Sequence, residues 1–292
     1  MFYEAKVPEL KPGQKKAAAL VVLNPSESRR LLAKATKALP EVQAAWKDGM
    51  IIIGRGITNA YVSEELFNIK VEPKAAQTVG MVWNGITTGH AGPPPCTWHV
   101  IKNGEVVENA DSNAEILNFT AEDVFIKGAN AVDRDGNAGI YVASFKGGTI
   151  GMAWPVITPR GSNLIIPASL EKMVPSVIEA AKHTGLHYFD YSTGLPIKLI
   201  PVPLGVVVTE IEAFAVLAGV KAYHIGSGGV GGSEGSVHLT LEGSEEAVKK
   251  AFELVKTIKG EPPTSVTDQL FVKSATDFDF DPAAQLATLG GI

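Results

Sequence analysis

Residues 50–67 read MIIIGRGITNAYVSEELF. Met50 to Ile53 is a short, wholly apolar run, the pattern of a strand covered on both faces within a parallel sheet. Gly54-Arg55-Gly56 follows as a tight turn. Thr58 or Asn59 is then placed to cap a helix running from Ala60 to Phe67, which carries Glu64 and Glu65. A strand, a glycine turn, a polar cap and a helix together aim unpaired backbone N–H groups at one point, and an anion suits that point. The same turn also reads as an ordinary strand-to-helix connection that needs glycine for its backbone angles.

The pattern extends outward on both sides. Upstream, LNPSESRRLLAKATKAL (23–39) predicts a helix capped by Asn24 or Ser26, with Pro25 in its first turn and Pro40 as its end. EVQAAWKDG (41–49) is a second, shorter helix, and residues 1–25 read as an N-terminal extension. Downstream, QTVGMVWNGITTG (77–89) predicts a strand, and GHAGPPPCTW (89–98) a rigid loop. TWHVIKNGEVVEN (97–109) predicts a hairpin turning at Asn103-Gly104. DVFIKGANAVD (123–133) and GNAGIYVASF (136–145) each hold a strand. A short helix after Gly147-Gly148-Thr149 is limited by Pro155. NLIIPAS (163–169) is another strand, and LEKMVPSVIEAAKHTG (170–185) a helix broken near Pro175 and stopped at Gly185.

From residue 199 the order becomes strand, helix, strand, strand, helix, ending in SEEAVKKAFELVKTIKG (244–260). Ser244 caps that last helix, with acids in its first turn and lysines toward its end, as the helix dipole favours. The expected architecture is therefore an α/β domain over 26–198 with a mostly parallel sheet flanked by helices. A smaller C-terminal α+β unit (βαββα, ferredoxin-like) covers 199–263, and 264–292 is a tail docked through Leu270-Phe271-Val272.

Composition narrows the function classes. Hydrophobic residues make up 45% of the 292 and charged residues 20%, so a folded chain is expected. A net charge of -5 argues against nucleic acid as a partner. The single cysteine, Cys96, excludes an internal disulfide and a cysteine zinc cage. No signal-peptide core is visible, and no apolar run approaches the ~20 residues that span a bilayer. The expectations are a cytoplasmic protein, no membrane or nucleic-acid partner, and a homo-oligomer.

A second polar segment, KGANAVDRDGNAGIYVASFKGGTIG (127–151), packs Gly, Asn, Asp and Lys between two apolar runs. Asp135-Gly136-Asn137 suits a turn between strands. Asn130 and Asp133 follow directly from a buried strand, where ligands of α/β sheets tend to sit. Lys146 before Gly147-Gly148-Thr149 adds a cation and free amides.

These motifs resemble, over roughly residues 26–200, the superfamily of ribose-5-phosphate isomerases, glucosamine-6-phosphate deaminases and CoA transferases. In the isomerases a Gly-Thr-Gly-Ser-Thr turn holds the phosphate. An Asp-Gly-Ala-Asp-Glu-Val-Asp run and a Lys-Gly-Gly-Gly-Gly run line the sugar. Gly54, Gly56 and Thr58 match the first loosely. Gly128, Ala129, Asn130, Val132 and Asp133 match the second, and Lys146, Gly147 and Gly148 match part of the third. Lys127 and Asn130 stand where that family keeps aspartates, and Pro155 where the isomerases keep a glutamate. Neutral Asn130 cannot serve as a general base. No counterpart is evident for the glutamate that attacks CoA esters.

The resemblance implies a small anionic ligand, a sugar phosphate or carboxylate, with no cofactor and no metal. Gly54, Gly56, Thr58, Asn59, Lys127, Gly128, Asn130, Gly147, Gly148 and Thr149 would bind it. Asp133 and Lys146 would be the catalytic pair of an isomerase- or hydrolase-like enzyme. Two alternatives stand beside this: a non-catalytic metabolite sensor with the same pocket, and a CoA-ester enzyme. Weaker features are a Cys96–His99 pair, His90 as an acid or base, His183 and His187 at metal-ligand spacing, His224 and His238 on paired strands, and the glycine-rich loop 226–235.

Overall fold

The structure, a computed structural model, describes residues 1–90, 99–266 and Ala283. In chain order it opens with β1 (Lys16–Leu23), α1 (Pro25–Ala38), α2 (Pro40–Asp48), β2 (Met50–Ile53) and α3 (Ile57–Phe67). The hairpin β3 (Gly80–Trp83) and β4 (Ile86–Gly89) follows, then β5 (His99–Lys102), β6 (Glu105–Val106) and the single turn α4 (Ser112–Glu115). Next come β7 (Val124–Ile126), β8 (Ala131–Val132), β9 (Ala138–Val142), α5 (Gly148–Ile157), β10 (Asn163–Pro167) and α6 (Val177–Lys182). The last part holds β11 (Lys198–Val202), β12 (Val206–Val208), α7 (Glu210–Ala218), β13 (Lys221–Ser227), β14 (Val237–Ser244) and α8 (Glu245–Ile258).

The α/β class is as expected. The principal sheet has six strands in the order β12-β10-β7-β2-β5-β6. The first four run parallel, whereas β5 pairs antiparallel with β2 and β6 antiparallel with β5, so the sheet is mixed. Its alternate residues feed two cores, as a period of two requires. Ile51, Ile53, Val124, Ile126, Ile165 and Val208 pack with α1, α3 and α7. Ile52, Phe125, Leu164, Ile166 and Val207 pack with Ile150, Ala153 and Ile157 of α5 and with β9.

The expected boundaries shift in two places. Residues 1–25 are not a mere extension: β1 pairs antiparallel with β14 along its whole length, giving a second sheet β1-β14-β13. The strand expected to open the C-terminal unit, β12, instead extends the principal sheet beside β10. Both follow from burial. Val207 and Val208 are fully buried and suit a covered parallel strand, while β1 alternates exposed and buried residues, as an edge strand with one wet face does. One core cluster joins Val21, Leu23, Leu239 and Val255 to Ile51 and Val124, so the small sheet is continuous with the large one.

Local chemistry accounts for the helix ends. Asn24 caps α1 in a reciprocal box with Glu27. Pro40, expected only as a stop, also opens α2 at its first position. Helix α3 begins three residues earlier than expected, with Gly56 as its cap, so Thr58 and Asn59 lie inside it. Pro155 is accommodated within α5, which runs on to Ile157. Segment 170–185 is broken into a 3-10 turn, Leu170–Lys172, and α6, with Pro175 between them. The Leu270-Phe271-Val272 docking expectation lies outside the described residues.

Candidate anion-binding site

The four parallel strands end at one edge of the sheet, where α/β proteins place their ligands. Backbone ladders continue just past those ends. Gly54 N–H donates to Ile126 O, Lys127 N–H to Ile165 O, and Ala168 N–H to Val208 O. Gly54, Lys127 and Ala168 are thereby held side by side.

The first wall is the Gly54–Asn59 turn. Asn59 is fully buried, and its Nδ2 donates to Gly54 O at 2.6 Å and to Ile126 O at 3.2 Å. That side chain ties the ends of β2 and β7 together. Its Oδ1 is buried without a hydrogen-bond partner among the described residues and faces Gly128, 3.9 Å from where a Cβ there would stand. Thr58 is also buried, with its Cβ 3.7 Å from that same position. The first-turn N–H groups of α3 have no acceptor within the helix.

The glycines matter here because neighbours fill their side-chain space. A Cβ on Gly54 would lie 3.1 Å from Lys127 Cδ and 3.2 Å from Thr149 Cγ2. One on Gly56, at φ 154°, would lie 3.9 Å from Lys127 Nζ. Gly54, Gly56, Thr58, Asn59, Lys127, Gly128 and Thr149 therefore form one cluster. Gly147 caps α5 in the left-handed region with Gly148 beside it, which brings the start of α5, and so Thr149, to the Gly54 turn.

The second wall was not legible in the sequence. Lys172, expected as one more helix residue, sits in the 3-10 turn after β10. Its Nζ donates to Ala129 O at 2.7 Å, while Lys127 Nζ lies 3.5 Å from Gly128 O. Two ammonium groups thus stand on consecutive carbonyls. Both side chains are half-buried, and neither has a carboxylate partner among the described residues.

Half-buried Lys37 and Lys198 likewise rest on backbone carbonyls, those of Glu65 and of Ala181 and Thr184, whereas several other buried or half-buried cations meet acids. Arg29 pairs with Glu171, Arg30 with Glu64, Glu65 and Glu261, and Lys74 with Glu64. Burial, and then the neighbouring Lys172 charge, lower the Lys127 pKa to about 8. Burial also lowers Lys172 to about 8, with Arg29 adding to the effect and Glu171 and Glu210 opposing it. Lysines perturbed in this way at the carboxyl edge of a parallel sheet are candidates for a functional site.

Lys172 is positioned by its turn. Ser169 caps it, Glu171 is anchored by Arg29 at 3.1 Å, and Leu170 N–H donates to Glu210 Oε2 at 2.9 Å. Glu210 is wholly buried, and burial pushes its carboxyl above the usual range. The base of the 226–235 loop reaches the same turn, since a Cβ on Gly235 would stand 2.7 Å from Glu171 Oε2.

The expected catalytic pair is not assembled. Asp133 is buried, and its oxygens accept from the N–H groups of Asp135, Asn137 and Val177 and from Asn137 Nδ2. Burial pushes its pKa up, but these hydrogen bonds outweigh it and hold the carboxylate below its usual value. It organises the β8–β9 turn and the start of α6 and has no lone pair left for a base. Lys146 is exposed on the turn before α5 and pairs with no acid among the described residues. Asn130 is exposed, its Oδ1 accepting from Tyr141 N–H at 3.0 Å.

The remaining histidines have local explanations. His99 Nδ1 lies 2.8 Å from both Ser63 Oγ and Gln77 Nε2, and burial lowers its pKa. The Cys96–His99 expectation lies outside the described residues at Cys96. His90 is buried, with Nε2 3.4 Å from Ala75 O. His183 contacts Glu179 and Tyr188, whereas His187 stacks on Phe145. His224 meets Ser227 Oγ, and His238 meets Gly228 O. Among the described residues no group of three or more His, Cys, Asp or Glu could hold a metal, and no helix is long and apolar enough to cross a membrane.

No family model, no curated protein and no solved structure matches the chain.

Proposed function

We propose that this chain binds a small anionic metabolite, a phosphate ester or carboxylate, at the carboxyl edge of its parallel strands. One observation carries the reading: Lys127 and Lys172 are two adjacent half-buried cations on consecutive carbonyls, and neither makes an ion pair with an acid among the described residues, Glu171 and Glu210 acting on Lys172 only from beyond ion-pair distance. Burying a cation without a counter-charge costs several kcal/mol, on the order of what a bound anion restores. The α3 N-terminus, Thr58 and Thr149 add neutral donors to the same cradle. The sugar-phosphate-isomerase resemblance agrees in placing an anion at the Gly54 turn, but the proposal rests on the lysines.

A thermal-shift screen against inorganic phosphate, sugar phosphates, small carboxylates and CoA esters tests it, since a ligand of the folded state raises stability by mass action. The expected result is a concentration-dependent rise with at least one phosphate or carboxylate, abolished in Lys127→Met. A folded Lys127→Met variant that retains the full rise would refute the proposed site.

A further inference from the structure

Within the cradle the two lysines are not equivalent. Lys172 is committed to a 2.7 Å hydrogen bond with Ala129 O and belongs to a turn fixed by Ser169, Arg29 and Glu210. Lys127 is only loosely held, 3.5 Å from Gly128 O. Its Nζ faces the Gly56 side of the turn, 3.9 Å from the space a Cβ there would take, and apart from Gly56 and its chain neighbours no other described heavy atom comes within 4 Å of that space. The amine therefore opens onto room left by a glycine, beside the donors that would hold an anion. A fixed ammonium, Lys172, stands next to it.

Building on the anion-binding reading above, we infer that Lys127 is a nucleophile. Its amine adds to the carbonyl carbon of a small aldehyde or ketone whose carboxylate or phosphate is held by the Gly54–Thr58 turn, Thr149 and Lys172. The nitrogen lone pair forms the C–N bond, and the carbonyl oxygen takes the proton that the nitrogen loses, giving a carbinolamine. The C–O bond then breaks, the departing hydroxide takes a proton from the Lys172 ammonium, and water leaves a protonated imine on Lys127.

The pair suits this division of labour. Two like charges this close resist simultaneous protonation, so near pH 8 the pair holds a substantial population with one free amine and one ammonium. A depressed lysine beside a second cation is a recurrent way to activate an amine. The value of about 8 for Lys127 leaves a usable fraction of free base near neutral pH.

The test is reductive trapping on the full wild-type chain. The protein is incubated at neutral pH with cyanoborohydride and either glyoxylate or dihydroxyacetone phosphate, then digested and mapped by mass spectrometry. Hydride reduces the imine to a stable secondary amine. Lys127 is expected to label at least about tenfold faster than exposed Lys146, because a pKa near 8 gives far more free amine than an ordinary lysine has. Inorganic phosphate should slow that labelling, acetaldehyde, which lacks an anionic group, should label Lys127 poorly, and Lys172→Met should slow it while the protein remains folded. Labelling of Lys127 no faster than Lys146, with phosphate still raising the melting temperature, would overturn the nucleophile and leave the anion site standing. No labelling preference and no thermal shift with phosphate or either probe would overturn both.

Discussion

At the scale of single residues, some polar side chains near the site hold the fold and others cost it stability. Asp133 belongs to the first group. It accepts from three backbone N–H groups and one carboxamide, so Asp133→Ala should lose about 2–4 kcal/mol of unfolding free energy, with the affinity of any ligand found for the cradle unchanged. Denaturant midpoints and a binding titration on one sample check both halves. Lys127 belongs to the second group. Its folded-state pKa, about 8, lies below the ordinary lysine value of 10.5. Below pH 8 the folded and unfolded states are both protonated, and the full cost of burying the charge is present. Between these two values the unfolded state binds a proton that the folded state lacks, so stability from this group rises with pH. Lys127→Met should therefore be more stable than wild type at pH 7, on the order of 2 kcal/mol for a half-exposed group. That gap should close as pH climbs from 8 toward 10.5. Denaturant melts across that range decide it, and a variant less stable than wild type at pH 7 would contradict the buried-charge argument. In sequence, Asp133 and Lys146 looked chemical because they flank glycine-rich turns. Turn chemistry and catalytic chemistry use the same residue types, and only hydrogen-bond partners tell them apart.

At the scale of elements, the strand–turn–helix of residues 50–67 was legible because a covered strand and a glycine turn leave clear marks in sequence. The start of α3 was less so, since Gly56 caps it without a side chain and leaves Asn59 free to tie β2 to β7. The turn carrying Lys172 was illegible. Its place depends on Glu210 and Arg29, about 40 and 140 residues away in sequence, and no local pattern reports such contacts. The close packing of Gly54 gives a sharp test. Its backbone lies outside the left-handed region, so alanine is conformationally acceptable, but the added methyl would meet Lys127 and Thr149 side chains at 3.1 and 3.2 Å. Gly54→Ala should thus fold, by circular dichroism and a cooperative melt, and yet weaken anion binding at least about tenfold by displacing Lys127. Unchanged affinity in the folded variant would move the ligand away from this turn.

At the scale of the whole molecule, the chain closes on itself. β1 completes the small sheet, β12 completes the large one, and one core joins them. Sequence order hid this, because strand patterns show that a strand exists and not which sheet receives it. The α/β class survived that ambiguity, since it depends on the covered strands β2, β7 and β10. The large sheet's carboxyl edge gathers two helix starts and two lysines without an acidic partner among the described residues, from segments far apart in sequence, and it is there that the fold and the proposed function meet. Calorimetric titration of inorganic phosphate into wild type and the Lys127→Met/Lys172→Met double variant tests that meeting point most directly. The account predicts saturable one-site binding to wild type that weakens as pH rises through about 8 and is absent in the folded double variant. Equal binding by both proteins, or no binding by wild type at any pH below 8 to phosphate or to the anions of the screen, would contradict it.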